Sequence, residues 1–257
     1  MAKAKKNASK KKATKKRSPS SVKISKRKSM PKPVELAARY MVLMGGDIDC
    51  ALWRLKEETL LLNTGIRPLR RGMKCAGLAV TWNAVLGCHN PVPDDSKTVK
   101  NWNKIQDVIH PGSVFVYQPG GEMSSGHLGN MYGNIIHSRG ATGAIIDGNC
   151  RDSDGHERME NWSIFSRGAS PLEAASRIKW MEANTPVLMS GELRKWIEVK
   201  PGDFVFADGD GVIIIPKKLI MPVLLDAEGH HSKEVEAEKL YAAGEDPEKV
   251  MEEYGVA

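Results

Sequence analysis

Residues 126–152 read GHLGNMYGNIIHSRGATGAIIDGNCRD. The run opens on a glycine-rich turn, continues as a segment of helical composition, and returns through a short apolar strand at 143–146 to a polar loop at 147–152. With the apolar run at 113–117 ahead of it, this predicts a strand–helix–strand unit and hence an α/β fold. Open α/β sheets place ligands beyond the carboxyl ends of strands and at the amino ends of helices. Such helix ends leave N–H groups without partners and carry partial positive charge, which suits a carboxylate or phosphate. Gly126 and Gly129 allow a ligand to approach the backbone closely. Asp147, Arg151 and Asp152 follow; an arginine beside an aspartate can grip a carboxylate or carbonyl while the acid holds a hard cation through oxygen. The same residues allow a plainer reading, in which Asp147 and Arg151 form an ion pair that pins the loop.

Working outward, helical spacing is expected at 34–43, and Asp47 caps a second helix running to about residue 57, with Cys50, Ala51, Trp53 and Leu55 as its packing residues. Residues 72–85 read as one or two strands preceded by Arg67, Arg70 and Arg71, which either meet an acidic substrate or line a solvated turn. A short helix is expected at 101–108 and a turn at Pro111-Gly112. Beyond the central unit, 162–166 reads as a strand and 171–182 as a helix. Strands follow at 186–189, 193–199, 204–207 and 212–215, with a turn at 201–203. Asp208-Gly209-Asp210-Gly211 lacks the twelve-residue ligand spacing and closing glutamate of a calcium loop and reads as a hairpin turn. From Lys217 the pattern is helical and charged, with Glu234, Glu236 and Glu238 on a solvated face. His127 is placed either as a proton donor near the turn or packed at a subunit contact, and His137 flanks the same helix. No HExxH pattern argues for zinc.

Composition divides the chain. It has 257 residues, 41% of them hydrophobic, and a formal net charge of +7. Yet residues 1–33 hold 14 of the 38 basic residues and no acid, so the remaining 24 basic residues face 31 acidic ones, a net of −7. The chain is expected to comprise a disordered basic tail over 1–33 and a globular domain over 34–257. The tail either contacts nucleic acid or another polyanion, an anionic membrane surface being a lesser option, in a salt-sensitive way, or it solubilises the chain or folds back on the acidic body. It lacks the apolar core of a secretory signal, no stretch is long and apolar enough for a membrane span, and the expected location is cytoplasmic. Cys50, Cys75, Cys88 and Cys150 show neither CxxC pairing nor zinc spacing and are expected to be reduced. Cys150, beside Arg151, is either a somewhat acidic thiol or a small residue in a tight loop.

The runs RGATGAIIDGNCRD (139–152) and VKPGDFVFADGDGVIIIP (199–216), with TGIRPLRRGMKCAGLAVT (64–81) and PGSVFVY (111–117) in the same order, closely resemble the RraA-like family, which includes the class II 4-hydroxy-4-methyl-2-oxoglutarate aldolases. The resemblance implies the swivelling β/β/α fold with mixed sheets, trimers or pairs of trimers with sites between subunits, a divalent metal (Mg2+ or Mn2+), and pyruvate-enolate chemistry of aldolase or oxaloacetate decarboxylase type. By motif position, Arg151 stabilises the enolate, Asp152 holds the metal, and Gly129, Asn130, Met131 and Tyr132 form the turn whose N–H groups bind substrate. One residue departs from the pattern. The family's aldolases carry an acid 21 positions before the arginine, which orders water at the metal; here Asn130 stands there, accepting hydrogen bonds but adding no charge. The 87–100 loop also departs from the usual run, as an insertion or lid. The resemblance equally covers RraA itself, a non-enzymatic regulator that binds an RNA-degrading enzyme, and leaves room for a related lyase acting on another hydroxy-keto acid.

Overall fold

A computed structural model describes residues 30–87 and 104–255. Residues 1–29 of the basic tail, residues 88–100 of the variant loop with Cys88, and the first three residues of the helix expected at 101–108 lie outside the described residues. The strands are β1 (Leu60–Leu61), β2 (Arg67–Pro68), β3 (Cys75–Leu86), β4 (Ser113–Gln118), β5 (Ala141–Ile146), β6 (Asn149–Cys150), β7 (Ser163–Ser166), β8 (Gly168–Ala169), β9 (Ile178–Ala183), β10 (Val187–Ser190), β11 (Trp196–Val199), β12 (Phe204–Ala207) and β13 (Val212–Ile215). The helices used below are α1 (Pro33–Tyr40), α2 (Gly45–Arg54), α3 (Asn130–Ser138), α4 (Ser153–Glu157), α5 (Ile220–Ala242) and α6 (Pro247–Tyr254). Residues 104–108 are also helical.

The main sheet runs β1-β13-β12-β3-β4-β5-β7-β2, with β9 added to β3. Strands β3, β4, β5 and β7 are parallel neighbours, and the flanking pairs are antiparallel. This is the mixed sheet of the expected α/β fold. Strand β3 serves two partners along one side: its early residues pair with β12, and Trp82 to Leu86 pair with β9 across a register shift.

Both faces of the sheet are covered, and the period-2 alternation of strand side chains sorts them. In β12 and β13, Val205, Ala207, Val212 and Ile214 join one core while Phe204, Phe206, Ile213 and Ile215 join the other. The second core is closed by α1, α2 and the first half of α5. Ile220, Val223, Leu224 and Ala227 recur at helical spacing on its inner stripe. Pro222 sits in the first turn of α5, where its missing N–H costs nothing. Tyr40 Oη donates to Ile220 O at 2.7 Å, and Arg39 pairs with Glu228, fastening α1 to α5.

Several expectations are corrected. Asp47 caps α2 not from the N-cap position, which is Met44, but from the third helical position, where Oδ2 accepts from Met44 N–H at 2.7 Å, and α2 ends at Arg54. Its packing face is Ile48, Ala51 and Leu52; Cys50 and Leu55 are exposed, and Trp53 is 78% exposed. The 171–182 stretch is not a helix. Its second half is β9, because the far half of β3 offers open ladder positions that outweigh the helical composition of Glu173-Ala174-Ala175. Asp208 to Gly211 makes the β12–β13 hairpin turn, as expected.

Candidate functional site

The polar loop 147–152 leaves the carboxyl end of β5, and the glycine turn 126–129 lies beside it, as the sequence predicts. Gly126 makes parallel bridges to Asn149 and Glu173, and His127 N–H and Arg151 N–H donate to Asn149 O and Leu128 O. The two segments are therefore laced together through backbone. A methyl group on Gly126 would come within 2.4 Å of Ser170 O and 2.7 Å of Cys150 O, so only glycine permits this approach. At Gly129, which opens α3, a Cβ would lie 2.8 Å from Asp152 Oδ2 and 3.3 Å from Arg151 Nη2. Gly129, Asn130, Arg151 and Asp152 thus converge on one spot.

Arg151 points its guanidinium at Glu173 and holds Nε 3.6 Å from Asp152 Oδ2. Asp152 is left-handed, with φ +58°, a conformation aspartate tolerates at a cost of roughly 1–2 kcal/mol. Its carboxylate is 43% exposed, and Oδ2 accepts weakly from Asn130 N–H at 3.3 Å. Met131 and Tyr132 extend from the first turn of α3 toward solvent. Two cavities meet at this spot. One, of about 310 Å3, is lined by Gly129, Tyr132, Arg151, Glu173 and the rings of Tyr117 and Trp180. The other, of about 540 Å3, is lined by Asn130, Asp152, Ser153, Asp154, Arg158 and Ser170.

Asp147 is an ion-pair partner, but not of Arg151. Its buried carboxylate accepts from Arg167 Nε at 2.7 Å, Ser190 N–H at 2.7 Å and Ser190 Oγ–H at 2.9 Å. It pins the loop to β10 and stays clear of both cavities. Arg67, meanwhile, donates to Asp210 O, and Arg70 and Arg71 are exposed away from the two cavities. Cys75 and Cys150 are buried and Cys50 exposed, all free; burial pushes the Cys150 thiol up rather than making it acidic.

The histidines are structural in their contacts. His127 lines the smaller cavity, but its Nε2 lies 2.8 Å from Glu122 O and 3.1 Å from Glu122 Oε2, away from the turn. His137 Nδ1 meets Ala141 O at 2.9 Å. His156, which sequence reading passed over, is fully buried beneath the turn. Trp162 Nε1–H donates to its Nδ1 at 3.1 Å, so the ring carries its proton on Nε2 and donates to Leu128 O at 3.1 Å. Glu173 was missed as well, because it lies far along the chain in a run with no motif of its own.

Burial holds both His127 and His156 below the ordinary histidine value. The folded chain therefore binds fewer protons than the unfolded chain below pH about 6.5. Their contribution to stability is full above that pH and is lost as the pH falls toward the folded-state values. The urea midpoint is expected to drop between pH 7.5 and 5.5, and His156→Asn to flatten that slope; a pH-independent midpoint over this window would contradict it.

Comparison with known proteins agrees with this fold. A family model described as RraA-like, Aldolase/RraA, matches residues 48–214. Protein DlpA of Legionella pneumophila is 24% identical over 189 residues, 74% of this chain and 29% of its own length. A protein of Alcanivorax borkumensis named "Putative 4-hydroxy-4-methyl-2-oxoglutarate aldolase" is 29% identical over 109 residues, covering 42% of this chain and 64% of that protein. The matches thus span less than two thirds of these relatives' lengths. Among solved structures, Streptomyces coelicolor RraAS2, described as an unusual member of the RNase ES inhibitor RraA protein family, superposes with a TM-score of 0.65 at 23% identity, over 79% of this chain and 96% of that one. That likeness establishes the fold.

Proposed function

This chain belongs to the RraA-like family, and on that premise we propose that it is a divalent-metal-dependent lyase that cleaves or decarboxylates a 2-keto acid through a pyruvate-like enolate. The observation that carries the reading is the convergence of Arg151, Asp152 and the amino end of α3 on one point between two cavities.

The residues present fit the implied metal. Asp152, Asp154, Ser153 and Asn130 offer only oxygen donors within one cavity, the set preferred by Mg2+ or Mn2+. When bound, the cation supplies Lewis acidity at the keto oxygen. The chain's own groups do the rest. N–H groups in the first turn of α3 receive the substrate carboxylate. The Arg151 fork, released from Glu173, faces the oxygen on which negative charge develops and stabilises the enolate more than the ketone. His127 is neutral and turned to Glu122, so water near Asn130 and Asp152 carries the proton. Among the described residues no lysine lines either cavity, which disfavours a Schiff base. The reading includes one RraA-like catalytic unit over residues 34–257, assembled as a homotrimer or hexamer.

The test is pyruvate release from oxaloacetate and from 4-hydroxy-4-methyl-2-oxoglutarate, with Mg2+ or Mn2+ and with EDTA, for wild type and Asp152→Ala. Turnover that needs metal and Asp152 is expected. Asn130, in place of the usual acid, favours a second reading, a non-enzymatic regulator that binds an RNA-processing protein. Folded protein that turns over neither substrate would move the assignment there.

A further inference from the structure

Away from this site, α2 and α5 bring three ligand-bearing side chains together. Asp47 comes from the first turn of α2, its side chain only 3% exposed and its Oδ2 oriented by Met44 N–H. His231 and Glu234 are three residues apart on α5, so one helix face presents both. His231 Nδ1 lies 3.0 Å from Asp47 Oδ2, and one ligand atom from each of the three residues falls within 4.8 Å of the others. Glu234, expected on a solvated face with Glu236 and Glu238, is instead half-buried against α2.

The fold leaves one atom of this cluster without a hydrogen-bond partner. His231 Nδ1 is sealed from solvent, and despite its short distance to Asp47 it makes no hydrogen bond. Glu234 brings a second carboxylate into the same group as that of Asp47. Two nearby cations are committed elsewhere: Arg54 Nε donates to Asp226 Oδ1 at 2.7 Å, and Lys74 Nζ donates to Leu43 O. Two carboxylates brought together out of water are costly unless a proton or a cation joins them. The positive end of α2 works against a cation, but two carboxylates offset it. A dication would also use the sealed imidazole nitrogen, which a shared proton between the carboxylates would not.

We propose that Asp47, His231 and Glu234 bind a divalent transition-metal cation of the zinc class, clamping α2 to α5. Three protein ligands leave a fourth position for water, as tetrahedral zinc allows. The imidazole selects zinc, cobalt or nickel over magnesium, so this site and the all-oxygen one around Asp152 sort different ions. The Met44 N–H bond to Asp47 is the kind of outer contact that fixes a ligand's orientation.

The experiment uses the full chain stripped with EDTA, in an Asp152→Ala background that removes the other candidate site. Zinc is titrated by calorimetry near pH 7, cobalt by its visible absorption, and the thermal midpoint is recorded with and without zinc. One equivalent of zinc, a tetrahedral cobalt spectrum and a raised midpoint are expected. His231→Ala and Glu234→Gln should each weaken zinc at least about tenfold and abolish the midpoint shift. Folded Asp152→Ala protein that binds no zinc, or zinc binding unchanged in either added variant, would overturn the proposal. Because Glu234→Gln keeps shape and hydrogen bonding, it serves where His231→Ala fails to fold.

Discussion

Arg151→Lys is expected to lower kcat for the proposed pyruvate release by about 100- to 1,000-fold, the range seen when one donor to a developing oxyanion is lost. The substitution keeps the charge but replaces a planar fork of five donors with a single mobile ammonium. In the folded chain the fork holds Glu173 while standing 3.6 Å from Asp152, so it is positioned from two sides before substrate arrives. An ammonium cannot take both positions at once. Because the guanidinium is partly exposed and its backbone N–H still bonds Leu128 O, the thermal midpoint should change little. The effect should therefore appear in kcat more than in KM. A lysine variant with near wild-type kcat would remove Arg151 from the reacting centre.

Asp147→Ala has the larger effect on stability, about 3 kcal/mol. The carboxylate is 6% exposed, and its removal leaves the Arg167 guanidinium without its charge partner and Ser190 N–H without an acceptor. Breaking a buried pair from one side costs roughly 3–5 kcal/mol; the lower end applies because Arg167 keeps 22% of its side chain in solvent and a bond to Asn63. For a domain of this size that is a fall in thermal midpoint of roughly 6–12 °C. Asp147→Asn, which keeps an acceptor, should lose less. A midpoint for Asp147→Ala within about 1 °C of wild type, the reach of an ordinary surface change, would show that the pair contributes nothing net.

Arg151 and Asp147 show what the sequence made legible. The turn, helix, strand and loop of 126–152 are local in sequence, and local pattern placed them correctly, Arg151 and Asp152 included. The partner of Asp147 was misread because Arg151 is near in sequence whereas Arg167 is near in space, brought back by β7. Glu173 and His156 carry no periodic or motif signal; one is defined by a bridge to Gly126 and the other by a tryptophan beneath it. Helical composition at 171–182 yielded to the vacant half of β3, a tertiary demand that no window on the segment contains. The meeting of Asp47 with His231 joins opposite ends of the chain and leaves no trace in either stretch.

The same joining of ends has a consequence during synthesis. Among the described residues β1 finds its ladder in β13, and the apolar stripes of α1 and α2 are covered in part by α5. On the ribosome, the core that α1 and α2 share with β12 and β13 stays open to water on the α5 side until residues past 227 emerge, at about 5–20 residues per second. A nascent chain stalled after β13 would hold a finished sheet with that face only partly covered, a natural target for a holding chaperone or for aggregation.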